Sequence, residues 1–355
     1  TTTMTYDQAG NMISKTDPNG ATTIFEYDSL NRLIKTIDPL GNATTFTYDA
    51  RGNRISQTDA MGRTTQYEYN YQNKLTKVID PQGGVTSYAY DPKGNLLSIT
   101  DANGQITAYT YDTQNRLISE TDPLGNTIRY SYDQKGNLIS KTDAEGRLIS
   151  FAYDPLNRLT RKNYPDGGFD AFTYDSNGRI ISASNQYISY TLSYDATGRI
   201  TQATDSRGYT VRYRYDLAGN RTNLTYPDGG SVTYSYDTAN RLSSMTDWMG
   251  RNVTFSYDNV GRRIGLSLPN GTKASYSYDQ ASRLIDLSHK TGSGSIIDSF
   301  SYTYDPIGNR LSVNIPEEKI NYAYDLLDRL IQATPTKLPG TDIEMLHKAE
   351  DFTYD

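Results

Sequence analysis

Hydrophobic and polar residues alternate one by one in short runs along the chain, as in Phe25-Glu26-Tyr27. A period of two residues, rich in aromatic side chains and Thr, predicts a β-strand with one aromatic face and one polar face. The two aromatic positions of these runs hold 26 of the 32 Tyr and six of the eight Phe. We therefore predict a structural core of repeated aromatic residues: Tyr27, Tyr48, Tyr69, Tyr90, Tyr111, Tyr132, Tyr153, Tyr174, Tyr215, Tyr236, Tyr257, Tyr278, Phe25, Phe46, Tyr88 and Tyr109.

These runs belong to a repeat that is marked by a Tyr-Asp pair. The Tyr recurs every 21 residues from Tyr6 to Tyr174 and, after one step of 20 residues, every 21 residues from Tyr194 to Tyr278. Steps of 26, 20 and 30 residues lead to three further copies, which makes seventeen. Such periodicity predicts one array over residues 1–355, in which each unit mainly contacts its neighbours.

A second rhythm lies over the first. The residue four positions after the repeat Tyr alternates between Gly and another residue, except that Gly178 and Gly198 follow one another. This alternation indicates a duplication unit of two repeats, about 42 residues. It also divides the array into blocks 1–180 and 190–355, and the second block is less regular after residue 279.

Each repeat reads as a β-hairpin followed by a connecting turn. Asp after the repeat Tyr and Gly or Asn three residues later predict the first turn. A second strand follows, in which adjacent apolar residues such as Leu138 and Ile139 point to opposite faces; which of the two faces inward stays open. Asp-Pro-x-Gly then predicts a type I turn. The turn residues singled out are Asp17, Gly20, Asp38, Gly41, Asp122 and Gly125.

The predicted fold class is all-β. Two strands per copy give about 34 strands, far more than the ~10 that an open twisted sheet holds without curling. We therefore expect tandem hairpins coiled into a spiral sheet, with the aromatic rings inside and the polar face outside. Thr1 and Asp355 both lie within repeats, and we expect this array to be part of a longer polypeptide and an incomplete part of a shell.

Composition excludes several classes of protein. A net charge of −6 gives no electrostatic footprint for nucleic acid. The lack of Cys excludes disulfides and thiolate metal sites. No apolar run approaches the ~18 residues of a membrane-spanning helix.

The motif YDxxGNRLxxxTDPxG, repeated about every 21 residues over essentially the whole chain, resembles the YD-repeat or Rhs family. The resemblance implies a β-spiral that forms the wall of a hollow shell. In bacterial polymorphic toxins and insecticidal toxin complexes such a shell encloses a C-terminal toxin, and in teneurins a similar shell serves cell-surface recognition. It also implies a secreted or cell-surface location and a bacterial source. Toxin-type shells end in Asp-Pro-x-Gly-Leu, which is linked to self-cleavage, whereas here other residues follow that turn: Ala21, Asn42, Gly84 and Asn126.

Single residues give little sign of chemistry. The two histidines, His289 and His347, lack partners at catalytic or metal-binding spacing, and most Asp residues are explained as repeated turn formers. The sequence "PDGG" is similar to part of a calcium-binding β-roll motif but occurs only twice, at Pro165–Gly168 and Pro227–Gly230. We expect no catalytic, cofactor or metal site.

Three other features are open to a role in binding. Arg212 and Arg214 are expected on the polar, solvated strand face. Two segments interrupt the period, residues 289–299 and 334–351, and extra length in a repeat protein maps to loops where binding concentrates. The single Trp, Trp248, replaces Pro in a turn and should be exposed at a hairpin tip, where it would either anchor a ligand or pack on its neighbour.

Two functions fit this pattern. The first is a non-catalytic structural array, part of a shell that encloses or displays a C-terminal effector in a larger secreted or surface protein. The second is an extracellular module that binds carbohydrate or another cell surface. An enzyme has no supporting constellation of residues, and no cofactor is expected. The predicted partners are the remainder of the polypeptide, including a toxin cargo, and a surface or carbohydrate ligand.

Overall fold

The computed structural model describes residues 1–338 and 349–353, in which every helix or strand assigned is a β-strand. The strands are β1 (Thr3–Tyr6), β2 (Met12–Thr16), β3 (Thr22–Tyr27), β4 (Leu33–Ile37), β5 (Ala43–Tyr48), β6 (Arg54–Thr58), β7 (Thr64–Tyr69), β8 (Leu75–Ile79), β9 (Val85–Tyr90), β10 (Leu96–Thr100), β11 (Ile106–Tyr111), β12 (Leu117–Thr121), β13 (Thr127–Tyr132), β14 (Leu138–Thr142), β15 (Leu148–Tyr153), β16 (Leu159–Asn163), β17 (Phe169–Tyr174), β18 (Ile180–Asn185), β19 (Ser189–Tyr194), β20 (Ile200–Asp205), β21 (Thr210–Tyr215), β22 (Arg221–Thr225), β23 (Ser231–Tyr236), β24 (Leu242–Thr246), β25 (Asn252–Tyr257), β26 (Arg263–Ser267), β27 (Lys273–Tyr278), β28 (Leu284–Lys290), β29 (Ile296–Tyr304), β30 (Arg310–Asn314), β31 (Glu318–Tyr324), β32 (Leu330–Lys337) and β33 (Glu350–Asp351). Among these residues no helix could cross a membrane.

Each repeat is one antiparallel hairpin. The strand that ends in the repeat Tyr pairs with the strand after the Tyr-Asp turn, as β13 pairs with β14 through Tyr130 opposite Lys141 and Ser131 opposite Ser140. The second strand then pairs with the first strand of the next repeat, as β14 pairs with β15. The predicted all-β array of tandem hairpins is confirmed.

A β-bulge next to the repeat Tyr explains the adjacent apolar residues of the second strand. The register steps from Ser131 opposite Ser140 to Tyr132 opposite Leu138, so that Ile139 is passed over. Two residues facing one is the definition of a bulge, and the bulged strand bends there. Leu138 thus lies opposite the Tyr ring and is half-buried, whereas Ile139 is 38% exposed. This answers the question that the sequence left open.

The aromatic rings lie on one face but are not enclosed. All sixteen core positions singled out from the sequence are half-buried, and the polar residues between them, such as Glu26 and Thr47, are exposed. In the described part of the chain the buried hydrophobic side chains are Val232, Ala274 and Val313. The rings are thus the less exposed of the two faces, and each ring, flanked by its neighbours in the sheet, keeps part of its surface open.

The chain divides into two compact units. Unit 1 contains Thr1–Thr86 together with Asn252–Asp355, and unit 2 contains Ser87–Arg251. In unit 1 hairpins from the first and last parts of the sequence meet. The boundaries between the units do not coincide with the phase slip near Gly178 and Gly198, which lies within unit 2.

Candidate functional site

In most repeats the repeat Tyr links its hairpin to the one before it. Its hydroxyl donates a hydrogen bond to the first carbonyl of the second strand in the preceding repeat, as Tyr132 does to Leu117 at 2.9 Å and Tyr153 to Leu138 at 2.9 Å. The same bond recurs from Tyr27, Tyr48, Tyr69, Tyr174, Tyr194, Tyr215, Tyr236, Tyr278, Tyr304 and Tyr324. This bond explains why the position holds Tyr, since Phe would supply the ring without the donor.

Burial affects the ionisation of several of these rings. Partial desolvation raises the pKa of Tyr69, Tyr90, Tyr111 and Tyr153 above the ordinary value for tyrosine. Removal from water disfavours the charged phenolate, which is the physical cause. The hydroxyls therefore remain protonated, and available as hydrogen-bond donors, throughout the neutral range.

The turn after the repeat Tyr is built around its Asp. In Asp112, one carboxylate oxygen accepts the backbone N–H of Gln114 and of Arg116, and the other oxygen accepts Nε of Arg116 at 2.7 Å. These bonds, the backbone bond from Arg116 first, hold the pKa of Asp112 below its ordinary value. The fourth residue of the turn, Asn115, has a φ of 62°, in the left-handed region that Asn tolerates.

Arginine then joins this turn to the next repeat. The guanidinium of Arg116 donates from Nη1 to the carbonyl of Asp133 at 2.9 Å and stacks over the ring of Tyr132, 4.7 Å from its centroid. Both contacts lie in the following repeat. Arg32, Arg158, Arg179, Arg199, Arg262 and Arg283 make the same pair of contacts.

Asparagine makes the alternate link. The amide of Asn137 donates both to its own Asp133 and to the side-chain oxygen of Asn157 in the next turn, at 2.8 and 3.1 Å. Asn11, Asn53, Asn95 and Asn220 do the same, and Asn309 donates to Asp328. A turn with Asn or Asp at the left-handed position thus receives Asn, and most turns with Gly there receive Arg. The turn that ends in Ser282 is an exception, because it receives Arg262. The 42-residue rhythm is the alternation of these two links.

We call the side of the hairpins that carries these turns the Tyr-Asp edge. Sequence reasoning missed its links, although a signal was present. The residue five positions after the repeat Tyr alternates between Asn and Arg over most of the chain, except that Lys74 takes the place of Arg and that Arg179, Arg199 and Arg262 directly follow Gly. At the phase slip the alternation stops, but the pairing of Arg with a following Gly turn still holds. Arg179 precedes the turn that ends in Gly198, and its Nη1 reaches the carbonyl of Asp195 at 3.3 Å.

The opposite side, formed by the Asp-Pro-x-Gly turns and their variants, is called the Asp-Pro edge. In three of these turns the Gly N–H donates to the Asp carbonyl at 3.0 Å: Gly20 to Asp17, Gly41 to Asp38 and Gly125 to Asp122. The three glycines have φ between 86° and 88°, which Gly adopts without steric cost. A β-turn followed by a left-handed residue is a common hairpin loop.

In unit 1 the two edges meet. Arg63, on the Asp-Pro edge, pairs through Nη1 and Nη2 with both carboxylate oxygens of Asp328, on the Tyr-Asp edge, at 2.9 and 3.1 Å. The same guanidinium donates to the carbonyl of Leu326 and, through Nε, to Asp59. Its side chain is only 9% exposed, and the hydrogen bond to Asp328 is the main reason why its pKa is raised. Asn19 and Asp258 form a second contact of this kind, at 3.1 Å.

The remaining candidates have structural contacts. Trp248 is 56% exposed and packs edge to face on Tyr226, with ring centroids 5.7 Å apart. His289 contacts Asp298 across the hairpin of β28 and β29. His347 lies outside the described residues, as does most of the second insertion.

The charged groups considered from sequence lie in ordinary positions. Arg212 and Arg214 are exposed on the polar face. In the two "PDGG" turns, Asp166 and Asp228 each accept the N–H of the residue two positions later. Within residues 1–338 and 349–353, no group of three His, Cys, Asp or Glu side chains is placed to hold a metal ion.

Known proteins share this architecture. The chain matches solved structures of the TcdB2-TccC3 protein, with 18% identity and a TM-score of 0.62 over 94% of this chain. It also matches a Photorhabdus luminescens Tc holotoxin pore carrying a mutant TccC3, with 18% identity and a TM-score of 0.63 over 93% of this chain. In both cases the match spans 21% of the other chain. A comparison with curated proteins finds no match.

A family model decides the classification. The teneurin YD-shell model matches residues 1–163, 103–190 and 166–338, which together cover nearly the whole chain. The hairpin repeat, its Tyr-Asp turns and the fold shared with the TcdB2-TccC3 structures agree with this match. The chain therefore belongs to the teneurin YD-shell family.

Proposed function

We propose that this chain is a wall segment of a YD-type shell that encloses a C-terminal effector in a larger secreted or surface protein of bacterial origin. The observation that carries the proposal is the extent of the structural match, which takes in 94% of this chain but 21% of the TcdB2-TccC3 chain. The recurring links along the Tyr-Asp edge support it, because they join successive hairpins and so stiffen the array. The segment supplies no chemistry of its own and needs no cofactor.

The test is made on the natural polypeptide, recovered from its source with an antibody to this array. We expect an intact mass well above the 39.8 kDa of this chain. Limited proteolysis under native conditions should leave the region that follows the array intact, and mild acid should expose it to the protease. An intact mass near 39.8 kDa, or a following region that is cut as fast under native conditions as in acid, would refute enclosure.

A second function, binding of carbohydrate or another cell surface, is favoured by one observation. On the Asp-Pro edge of unit 2 three turns carry exposed aromatic residues, with Tyr187 85%, Tyr209 58% and Trp248 56% exposed. Exposed rings of this kind bind ligands through their faces while their polar atoms hydrogen-bond. Replacing all three by Ala should abolish binding to a glycan array, whereas Tyr71→Ala, at an exposed turn on the Tyr-Asp edge, should not. Equal binding by both variants would refute this function.

A further inference from the structure

Two grooves on the Asp-Pro edge are built from equivalent residues 84 residues apart, which is two duplication units. The first lies in unit 1 beside Asp59-Ala60-Met61-Gly62-Arg63, and the second lies in unit 2 beside Asp143-Ala144-Glu145-Gly146-Arg147. In both, the Arg Nε donates to the Asp of its own turn, at 2.7 Å for Arg63 and 2.6 Å for Arg147. We call them the Arg63 groove and the Arg147 groove.

The Arg63 groove holds a Tyr-Asp turn. Leu326, Leu327 and Asp328 lie in it, beside Pro306 and Ile307 of the preceding Tyr-Asp turn. The occupant contributes an apolar tip, a backbone carbonyl at Leu326 and a carboxylate at Asp328. Asp328 is suited to this contact because it occupies the left-handed position of the turn, with a φ of 64°, and projects its carboxylate from the edge. Arg63 forms a bidentate ion pair with this carboxylate, which is the strong form of an arginine–carboxylate contact.

The Arg147 groove is lined by the equivalent residues, but in the described part of the chain Arg147 forms no ion pair with a distant hairpin. The side chain of Arg147 is 60% exposed, against 9% for Arg63, and its Nη1 contacts only Glu145, itself exposed, among the described residues. The cavity has a volume of about 350 Å³. Ile128 stands where the Arg63 groove has Thr44, and Ile149, in the adjoining cavity, stands where it has Thr65. The Arg147 groove is thus better suited than its counterpart to an apolar tip.

From this correspondence we propose that the Arg147 groove is a docking site for a second Tyr-Asp turn, one with an apolar tip and an acidic residue at its left-handed position. The occupant is a hairpin of a separate YD-type segment with the pattern Tyr-Asp-Leu-Leu-Asp, as at Tyr324 to Asp328. Its carboxylate replaces Glu145 on Arg147, and its tip covers Ile128. This docking goes beyond the proposed function and does not depend on it, since a shell without cargo would present the same groove.

The test uses the full chain and a fluorescent hairpin peptide. The peptide carries residues 318–337 with both end residues, which pair in register, replaced by Cys and joined by a disulfide. Closure is needed because an isolated hairpin is only marginally stable in water. The chain itself contains no Cys, so it cannot exchange with that disulfide. Fluorescence anisotropy then measures binding at low salt.

We expect saturable binding to the native chain. Arg147→Ala should weaken it about ten-fold or more, because a bidentate charge-assisted contact is lost. Arg129→Ala is the matched control: it removes the same charge from an exposed position on the polar face of β13 and should leave binding unchanged. Glu145→Ala, which frees Nη1 of Arg147, should tighten binding, and this gain cannot come from misfolding. In the peptide, Asp328→Asn should weaken binding as much as Arg147→Ala does in the chain.

Three results would overturn the proposal. The first is no binding at millimolar peptide. The second is equal weakening by Arg147→Ala and Arg129→Ala, which would show general attraction to positive charge. The third is equal binding of the unchanged peptide and of the peptide that carries Asp328→Asn. The enclosure experiment on the natural polypeptide is independent, so failure of this docking would leave that proposal standing and the reverse also holds.

Discussion

The two edges of the hairpin array use the same turn chemistry but differ in what lies beyond the turn. On the Tyr-Asp edge, Arg116 and Asn137 each satisfy their own Asp and then reach into the following repeat. On the Asp-Pro edge, Asn126 satisfies its own Asp122 in the same way, with amide and carboxylate 2.8 Å apart, and reaches no neighbouring turn through the bonds described. On that edge, among the bonds described, links between neighbouring turns are sparse and are not made by Arg or Asn side chains; in one of them the backbone N–H of Ser189 donates to the hydroxyl of Ser206.

This difference indicates a division of labour. Bonds from each repeat to the next are what an array needs for cooperativity, since each repeat gains stability only from its neighbours. The Tyr-Asp edge supplies them. The Asp-Pro edge instead presents its outward-facing groups to other hairpins. In unit 1 one of these groups, Arg63, holds the turn of Asp328, which is 265 residues away in sequence. We infer that the Tyr-Asp edge maintains the array, whereas the Asp-Pro edge is where distant hairpins are held, each by its Tyr-Asp turn.

Acid should protonate the turn carboxylates of both edges and so destabilise the whole array, which is the largest effect that we expect. On the Tyr-Asp edge the Asn137 side chain lowers the pKa of Asp133, and on the Asp-Pro edge the Asn126 side chain lowers that of Asp122. A carboxyl whose pKa is lowered by folding stabilises the fold above its unfolded pKa, about 3.9, and loses that contribution as pH falls through the folded value. Circular dichroism should therefore show a stable array at pH 5–8 and cooperative unfolding below about pH 4. An array still folded at pH 2 would contradict the role of the turn carboxylates.

Removal of a repeat Tyr should be the most damaging single substitution. Tyr153 is half-buried, and its hydroxyl bonds Leu138 across the Tyr-Asp edge. Tyr153→Ala should lower the local free energy of unfolding by about 2–3 kcal/mol, less than for an enclosed ring, because only part of its surface is buried. Tyr153→Phe should cost about 1 kcal/mol through the lost hydrogen bond alone. Hydrogen exchange of the flanking repeats measures both.

The control for this substitution is Tyr71→Ala. Tyr71 is 77% exposed in its turn and should be nearly neutral. If Tyr71→Ala and Tyr153→Ala accelerate exchange equally, the aromatic face does not stabilise the array.

A comparison of two arginines separates the edges directly. Arg116→Ala removes the ion pair with Asp112, the hydrogen bond to the next repeat and the stacking of the guanidinium on the Tyr132 ring. It should therefore speed amide exchange in β13 and β14 about ten-fold. Arg147→Ala removes a mostly exposed ion pair on the Asp-Pro edge, and exposed pairs contribute little. Exchange in β15 and β16 should change by about two-fold at most. Equal effects would mean that the Asp-Pro edge also maintains the array.

The local parts of this structure could be predicted from the sequence, because strands and turns depend on neighbouring residues. The alternation around Phe25 and Tyr27 predicts the strand and its two faces, and Asp17 and Gly20 predict a turn. The orientation of Leu138 and Ile139 could not be predicted, since it depends on a bulge in the pairing with β13. The sixteen aromatic positions share one face as expected, but the extent of their burial depends on how many layers cover that face.

The contacts between distant hairpins could not be predicted at all. Arg63 and Arg147 stand in nearly identical local sequences, yet one is buried against Asp328 and the other is exposed. What separates them is whether a distant hairpin, such as the one that carries Asp328, packs against the turn, and no residue type encodes this locally. By contrast, the link from Asn137 to Asn157 was within reach, since both residues follow the 42-residue rhythm.

The smallest expected effect gives the sharpest comparison, because it uses one residue type on both edges. Asn137 and Asn126 each donate to the Asp four residues earlier, but only Asn137 also donates to the next turn, at Asn157. Asn137→Ala should therefore speed exchange in its own hairpin and in the following one, by about three-fold each, as expected for one partly exposed hydrogen bond. Asn126→Ala should affect only its own turn. The decisive observation is the response of the neighbouring hairpin: if it is disturbed equally by both substitutions, the Tyr-Asp edge has no special part in joining repeats, and the division between the edges fails.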